Sequence, residues 1–314
     1  MTDDGSLAAV AEALGSRAER HAPLGARTTY RVGGTAAVLV TVEDEDDLHA
    51  AARALAGAPG VPVLVLGNGS NLLVADAGFP GLVVVLGRGL AEIAVTGTTV
   101  HAGGAALLPL VARRAAAAGL RGLEWAVGVP GSVGGALRMN AGGHGSDTAA
   151  VLTRQRVFDL SSGSATEDGP ERLALSYRHS ALRRHEVVVW ADFSLRRGER
   201  GAAEATVADI VRWRRAHQPG GSNAGSVFRN PPDDAAGRLV EAAGLKGLRL
   251  GTARVSEKHA NFIQADDGGR AEDVRRLIEH VAATVAARTG VVLVPEVRMI
   301  GFDEPSTSCG GSRP

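Results

Sequence analysis

Two glycine-rich segments carry the residue types best suited to holding an anion. Gly67-Asn68-Gly69-Ser70-Asn71 follows a continuous apolar run directly, and Gly131-Ser132-Val133-Gly134-Gly135 lies further on, followed by Met139-Asn140-Ala141-Gly142-Gly143. Glycines let backbone N–H groups approach a phosphate, and serine and asparagine add side-chain donors. Taken alone, the first segment reads better as a strand-ending turn, because Asn and Gly are common turn residues. Two such segments together point to a large phosphate-bearing cofactor, since a diphosphate needs several converging donors. Neither is the dinucleotide fingerprint of a Rossmann unit: Leu72 stands where the third glycine would fall, and no acidic residue closes a short βαβ unit. No phosphate loop ending in Gly-Lys-Ser/Thr is present.

The elements that must position these segments follow from periodicity. The sequence predicts an Ala-rich helix over 6–20, a strand from Ala36 to Val42, a helix from Glu43 to Leu55 with acids in its first turn, and a buried strand from Val61 to Leu66. Leu82 to Leu86 reads as a strand, Ile93 to Ala102 as a hairpin around Gly97, and Leu107 to Ala118 as an amphipathic helix. Gly128 to Gly145 is a long glycine-rich stretch. Strands follow at Arg156 to Leu160 and Val187 to Leu195. Composition shifts at Arg197-Gly198-Glu199-Arg200-Gly201, which is read as a domain boundary. Beyond it lie helices at Ala203 to His217, Leu239 to Ala243 and Asp273 to Arg288, the last closed by Gly290, with strands at Asn261 to Ala265 and Val291 to Ile300. The expected division is an N-terminal helix (1–20), two subdomains (21–86 and 87–200), a C-terminal domain (201–302) and a disordered Ser/Gly/Pro tail (303–314).

Bulk properties narrow the classes. The 314 residues are enough for two or three domains. Thirty-four Lys and Arg balance 34 Asp and Glu, so charge gives no case for nucleic acid or an anionic membrane as partner. Cys309 is the one cysteine, which excludes an intrachain disulfide. The acidic start Met1-Thr2-Asp3-Asp4 lacks the order of a signal peptide, and no apolar run approaches the ~20 residues of a membrane span. A cytoplasmic protein is expected.

The motifs, in order, make the chain recognisable. They are Thr28-Thr29-Tyr30-Arg31-Val32-Gly33-Gly34, Gly67 to Val74, Gly128-Val129-Pro130-Gly131 through Ala136, Met139 to Gly142, Ser176-Tyr177-Arg178-His179-Ser180, Asn223-Ala224-Gly225-Ser226-Val227-Phe228-Arg229-Asn230-Pro231, Leu245-Lys246-Gly247, His259 to Ile263, and Pro295-Glu296-Val297-Arg298. From about Pro23 to Gly301 the chain resembles the UDP-N-acetylenolpyruvoylglucosamine reductases, also called UDP-N-acetylmuramate dehydrogenases. The resemblance implies an α+β protein: a two-subdomain FAD-binding fold of the vanillyl-alcohol-oxidase/PCMH type plus a C-terminal α+β substrate-binding domain. It implies non-covalent FAD, NADPH as co-substrate at a site shared in turn with the UDP-sugar, and UDP-N-acetylglucosamine enolpyruvate as substrate. No metal and no obligate protein partner is implied. The short interval from Arg178 to Ser226, with Tyr177 as its nearest tyrosine, matches the subtype that lacks an extra substrate-clamping tyrosine loop.

The same resemblance implies the roles. Arg178 meets the substrate carboxylate with two parallel donors, a task for which guanidinium is suited. Ser226 gives a proton to C2, and Glu296 stabilises the intermediate or assists that delivery. Without the motif context, Arg178 reads as an ordinary ion-pair residue, Ser226 as a cap or turn serine, and Glu296 as a solvent-facing residue on an alternating strand. If buried, Glu296 must be protonated or paired with Arg298 or another cation. Cofactor contacts are expected at Tyr30, Gly67, Asn68, Gly69, Ser70, Asn71, Pro130, Gly131, Ser132, Gly135, Asn140 and Gly142. Substrate contacts are expected at Tyr177, Arg214, His217 and Asn230. His217 stands where relatives often carry a lysine, and Gln264 where an asparagine is common. The alternatives are another FAD enzyme of the same fold, such as an alcohol oxidase, or a non-catalytic binder of flavin or nucleotide sugar.

Overall fold

The computed structural model describes residues 4–302, so the expected tail and Cys309 lie outside the described residues. The N-terminal part contains α1 (Asp4–Leu14), β1 (Ala18–Pro23), β2 (Thr35–Val42), α2 (Glu45–Ala56), β3 (Val63–Leu66), β4 (Leu72–Val74) and β5 (Phe79–Leu86). Four of the strands form a sheet in the order β1-β2-β5-β3, with β2, β5 and β3 parallel and β1 antiparallel to β2. Both faces are covered, which is why these strands read as near-continuous apolar runs. Val38, Val40, Leu82 and Val84 pack with residues of α1 and α2, while Ala36, Leu39 and Val83 pack on the other side. Asp44 caps α2 by accepting from the Asp47 amide, 2.9 Å, and acids fill the first turn. The helix expected over 6–20 stops at Leu14. Residues 18–23 instead pair with β2, an outcome that local Ala content cannot foretell.

The middle of the chain builds an antiparallel five-stranded sheet. β6 (Ile93–Thr96) and β7 (Thr99–Gly103) form the expected hairpin, with Gly97 at φ 63°, and join strands Leu152–Asp159, Ser164–Asp168 and Glu186–Ser194. Helices α3 (Leu108–Ala117) and α4 (Val133–Met139) pack against it, and α5 (Arg200–His217) packs on α3. The glycine-rich stretch 128–145 contains α4. Ser132 caps α4 through the Gly135 amide, and Asn140 closes it in a left-handed conformation, φ 39°. Helix α5 had been expected beyond the boundary, yet its Ala203, Val207 and Ile210 bury in the same core as Val111, Val157 and Phe193. The composition break at 197–201 does not coincide with a break in packing.

The C-terminal part places α6 (Ala236–Ala242), a three-stranded sheet and α7 (Ala271–Thr289) around Val227, Phe228, Leu239, Val255 and Val281. Gly290 ends α7 at φ 73°. The strand expected over Val291–Ile300 shrinks to Arg298–Ile300, because Val292 and Val294 are exposed and lie outside any ladder. That short strand pairs in parallel with β4, joining Arg298 to Leu72. Tyr30, Val32 and Leu73 from the N-terminal part bury in this C-terminal core. The architecture is α+β.

Candidate active site

A cavity of about 460 Å³ opens where the three parts meet. One wall is backbone. A Cβ at Gly67 would lie 2.4 Å from Ser132 Oγ, and one at Gly69, itself at φ 60°, would lie 2.4 Å from the Arg27 carbonyl oxygen. Only glycine fits there. Asn68 Nδ2 donates to the Pro130 carbonyl at 2.6 Å, so the two loops form one cradle. Among the described residues, no hydrogen bond uses the backbone N–H of Asn68, Gly69, Ser70, Gly131 or Ser132 as donor. Unpaired amides lining a cavity are what a diphosphate requires. The cradle therefore fits a dinucleotide cofactor such as FAD.

A second wall is made of side chains. Arg178 sits in a tight turn, where Ser176 and His179 exchange backbone hydrogen bonds, and its own φ is 54°. A left-handed arginine is uncommon and marks an imposed conformation. Its Nη2 donates to the Gly142 carbonyl at 3.2 Å, its guanidinium lies over the Tyr177 ring at 5.1 Å, and its Nε stands 2.7 Å from Glu296 Oε1. That N–H is not aimed at the carboxylate, so the contact is an ion pair rather than a well-formed hydrogen bond. Glu296 thus pairs with Arg178, not with Arg298. Its backbone N–H donates to the Val227 carbonyl at 2.7 Å, and its carbonyl accepts from Asn71 Nδ2 at 3.1 Å. Ser226, next to Val227, lines the same cavity. Burial pushes the Glu296 carboxyl above its ordinary range, opposed by Arg178 and Arg229. Burial likewise lowers Arg214, which lines the cavity beside Gly128.

Some expected contacts are not on these walls. Tyr30 is fully buried in the C-terminal core, its hydroxyl without a partner and its pKa raised by burial. Asn140 is spent on structure: its Nδ2 donates to Asp147 Oδ2 and the Ser176 carbonyl, and its Oδ1 accepts from the Ala149 amide. Asn230 Oδ1 accepts from the Ala236 amide at 3.1 Å and secures the start of α6. Tyr177 is exposed and reaches the site only as a surface for Arg178. His217 lies behind Trp213, stacked on it at 4.8 Å. The remaining expected residues, Gly67 to Asn71, Pro130 to Ser132, Gly135, Gly142 and Arg214, do line the cavity. Sequence reasoning missed Trp213, His144 and Arg298, which also line it, and Arg229, whose Nη2 donates to the Arg178 carbonyl at 3.3 Å. A lone Trp within a helical pattern gives no signal, but Arg229 and Arg298 stood inside quoted motifs.

Among the described residues no helix is long and apolar enough to cross a membrane, and no group of three or more His, Cys, Asp or Glu could hold a metal ion.

Comparison with known proteins agrees with this geometry. Residues 36–168 match the model of an FAD binding domain, and residues 217–300 match that of the UDP-N-acetylenolpyruvoylglucosamine reductase C-terminal domain. A BBE-like protein of Physcomitrella patens shares the fold, with a TM-score of 0.55 at 12% identity over 90% of each chain. The fold and the cradle define an FAD-binding oxidoreductase. A UDP-N-acetylenolpyruvoylglucosamine reductase of Symbiobacterium thermophilum is 45% identical over 91% of this chain and 93% of its own, and one of Rubrobacter xylanophilus is 43% identical over 89% and 94%. The crystal structure of the Thermus caldophilus enzyme of that name gives a TM-score of 0.79 at 37% identity, covering 90% of this chain and 99% of the other. The chain belongs to the UDP-N-acetylenolpyruvoylglucosamine reductase family.

Proposed function

We propose that the protein reduces UDP-N-acetylglucosamine enolpyruvate to UDP-N-acetylmuramate during peptidoglycan precursor synthesis, in the cytoplasm, with NADPH as electron donor. The observation that carries this reading is the Arg178–Glu296 ion pair at 2.7 Å, on a cavity wall that also includes Ser226. The loops at 67–71 and 130–132 would hold FAD by its diphosphate. When bound, FAD supplies a hydride for the terminal carbon of the enol ether. An electron-rich alkene accepts hydride only if the neighbouring carboxylate takes up the charge left at C2. Arg178 is suited to that task, since guanidinium offers five donors in a fixed fork and here engages Gly142 with one of them. Ser226 then delivers a proton to C2. A serine hydroxyl is a weak acid and becomes competent beside so basic a carbanion. Glu296 stabilises the intermediate or assists that proton delivery, and its ion pair keeps Arg178 in place on the cavity wall. NADPH uses the same cavity in turn, which accounts for the lack of a second dinucleotide motif. The short interval between Arg178 and Ser226 assigns the chain to the subtype without the tyrosine loop.

The test is an anaerobic titration followed by flavin absorbance. NADPH should bleach the bound flavin, and the enolpyruvyl UDP-sugar should restore its colour with one equivalent consumed. Reoxidation by oxygen alone, with the UDP-sugar inert, would instead place the protein among the FAD oxidases that share its fold.

A further inference from the structure

Trp213 lies at the C-terminal end of α5 and lines the cavity, yet about 44% of its surface is exposed. A tryptophan left this exposed on the cavity rim is not explained by burial in the core. Its neighbours are ordered around it. His217, one turn on, stacks on the indole at 4.8 Å and 19°, and its Nδ1–H donates to the Trp213 carbonyl at 2.7 Å, which locks the ring in place. His144 meets the indole edge-to-face, ring centroids 5.2 Å apart at 86°. His144 stands at the tip of the hairpin whose Gly142 carbonyl holds Arg178, so this aromatic cluster is tied to the substrate wall rather than to the 67–71 loop. Arg214, the next residue, lines the same rim and makes no described ion pair.

We propose that Trp213, backed by His217 and edged by His144, is the stacking platform for the base of the nucleotide substrate, with Arg214 positioned for its diphosphate. The inference rests on the reading that the cavity takes a nucleotide sugar. Aromatic platforms recognise bases through their π-faces, and a rigid indole loses little freedom on binding. It also gives a reason for His217 at a position where a lysine would supply charge alone: an imidazole can stack, and the cationic duty passes to Arg214.

The test compares the FAD-loaded Trp213→Ala and Trp213→Phe variants with the wild type, using UDP as probe in calorimetry and the enolpyruvyl UDP-sugar in steady state. UDP binding should weaken by roughly tenfold or more in Trp213→Ala, the range expected for one lost base–aromatic stack. KM for the UDP-sugar should rise in parallel, with a smaller fall in kcat, and Trp213→Phe should recover most of the loss. Flavin content should match the wild type in both variants. Unchanged UDP affinity in Trp213→Ala overturns the proposal. Loss of flavin with UDP affinity intact overturns it too, since the platform would then serve the base of FAD. A wild type that binds UDP through Trp213 but never turns over the enolpyruvyl sugar would leave the platform standing and refute the proposed reaction instead.

Discussion

The two walls of the cavity are built in opposite ways. The cradle at Gly67–Asn71 and Gly131–Ser132 offers backbone amides, and its shape is fixed by what the residues lack, a Cβ that would strike Ser132 or Arg27. The second wall offers side chains, Arg178, Ser226 and Glu296, drawn from three separate stretches of chain. Glu296 is anchored by Asn71, 225 residues away. Holding a cofactor can be a local property of a few residues. Performing chemistry on its partner requires long-range convergence, in which each charge is held by another element. Damage to the first wall should therefore appear as lost flavin, and damage to the second as lost rate with flavin retained.

The largest separation is expected for Ser226→Ala. Reoxidation of reduced flavin by the enolpyruvyl sugar should fall by roughly a hundredfold to ten-thousandfold, the range for loss of a general acid. Reduction by NADPH needs no proton at carbon and should stay within a few-fold. Stopped-flow absorbance reads both, and equal slowing of the two would reassign Ser226 to positioning. Arg178→Lys keeps the charge but loses the fork, so the same half-reaction should slow by at least about tenfold, or ~1.4 kcal/mol of barrier. An unaltered rate would remove Arg178 from the reaction.

On the backbone wall, Gly69→Ala forces a side chain into φ 60° and against the Arg27 carbonyl at 2.4 Å. Left-handed strain alone costs about 1–3 kcal/mol, and the contact adds to it. The flavin-to-protein ratio and the melting temperature should both drop. Full flavin content at wild-type stability would show that this glycine is not required.

Glu296 gives a pH-dependent version of the comparison. Its folded pKa is raised above the ordinary 4.5, burial outweighing Arg178 and Arg229. The folded chain thus holds this proton at higher pH than the unfolded chain does. The associated stability is fully present below the ordinary value and is lost as pH rises through the folded one. Glu296→Gln is neutral throughout, so its stability relative to wild type should improve as pH climbs through that window. Thermal melts at a series of pH values measure this, and a difference that moves the other way would mean that Arg178 dominates. The smallest effect belongs to Asn230→Ala. Loss of the bond to the Ala236 amide should cost about 1 kcal/mol, as for a helix cap, with KM for the UDP-sugar unchanged. A raised KM would return Asn230 to the substrate site.

The contrast between the walls also governs what the sequence discloses. Glycine-rich loops after a buried strand announce themselves, because the constraint is local and falls on residue type. The same richness hid α4, whose Gly134 and Gly135 argue against a helix until Ser132 caps it and the core receives Val133 and Leu137. The side-chain wall was readable through the family motifs, not through spacing. Its ion pair depends on a turn at Ser176–His179 and an irregular run before Arg298, neither of which has a periodic signature. Tyr30, Asn140 and Asn230 also lie within the recognised segments, and the contacts they make within the protein belong to the scaffold around the site.

The parallel pairing of Arg298–Ile300 with β4 has a consequence for how the protein comes into being. A chain is made from its N-terminus, and the parts made first can fold first. The 67–71 loop leaves the ribosome early, but the hydrogen bonds that clasp its far end, Asn71 to Glu296 and Arg298 to Asn71, must await residues synthesised after everything else that lines the cavity. A nascent chain stalled before Val291 would therefore carry the amides of the cradle without the two hydrogen bonds that hold Asn71.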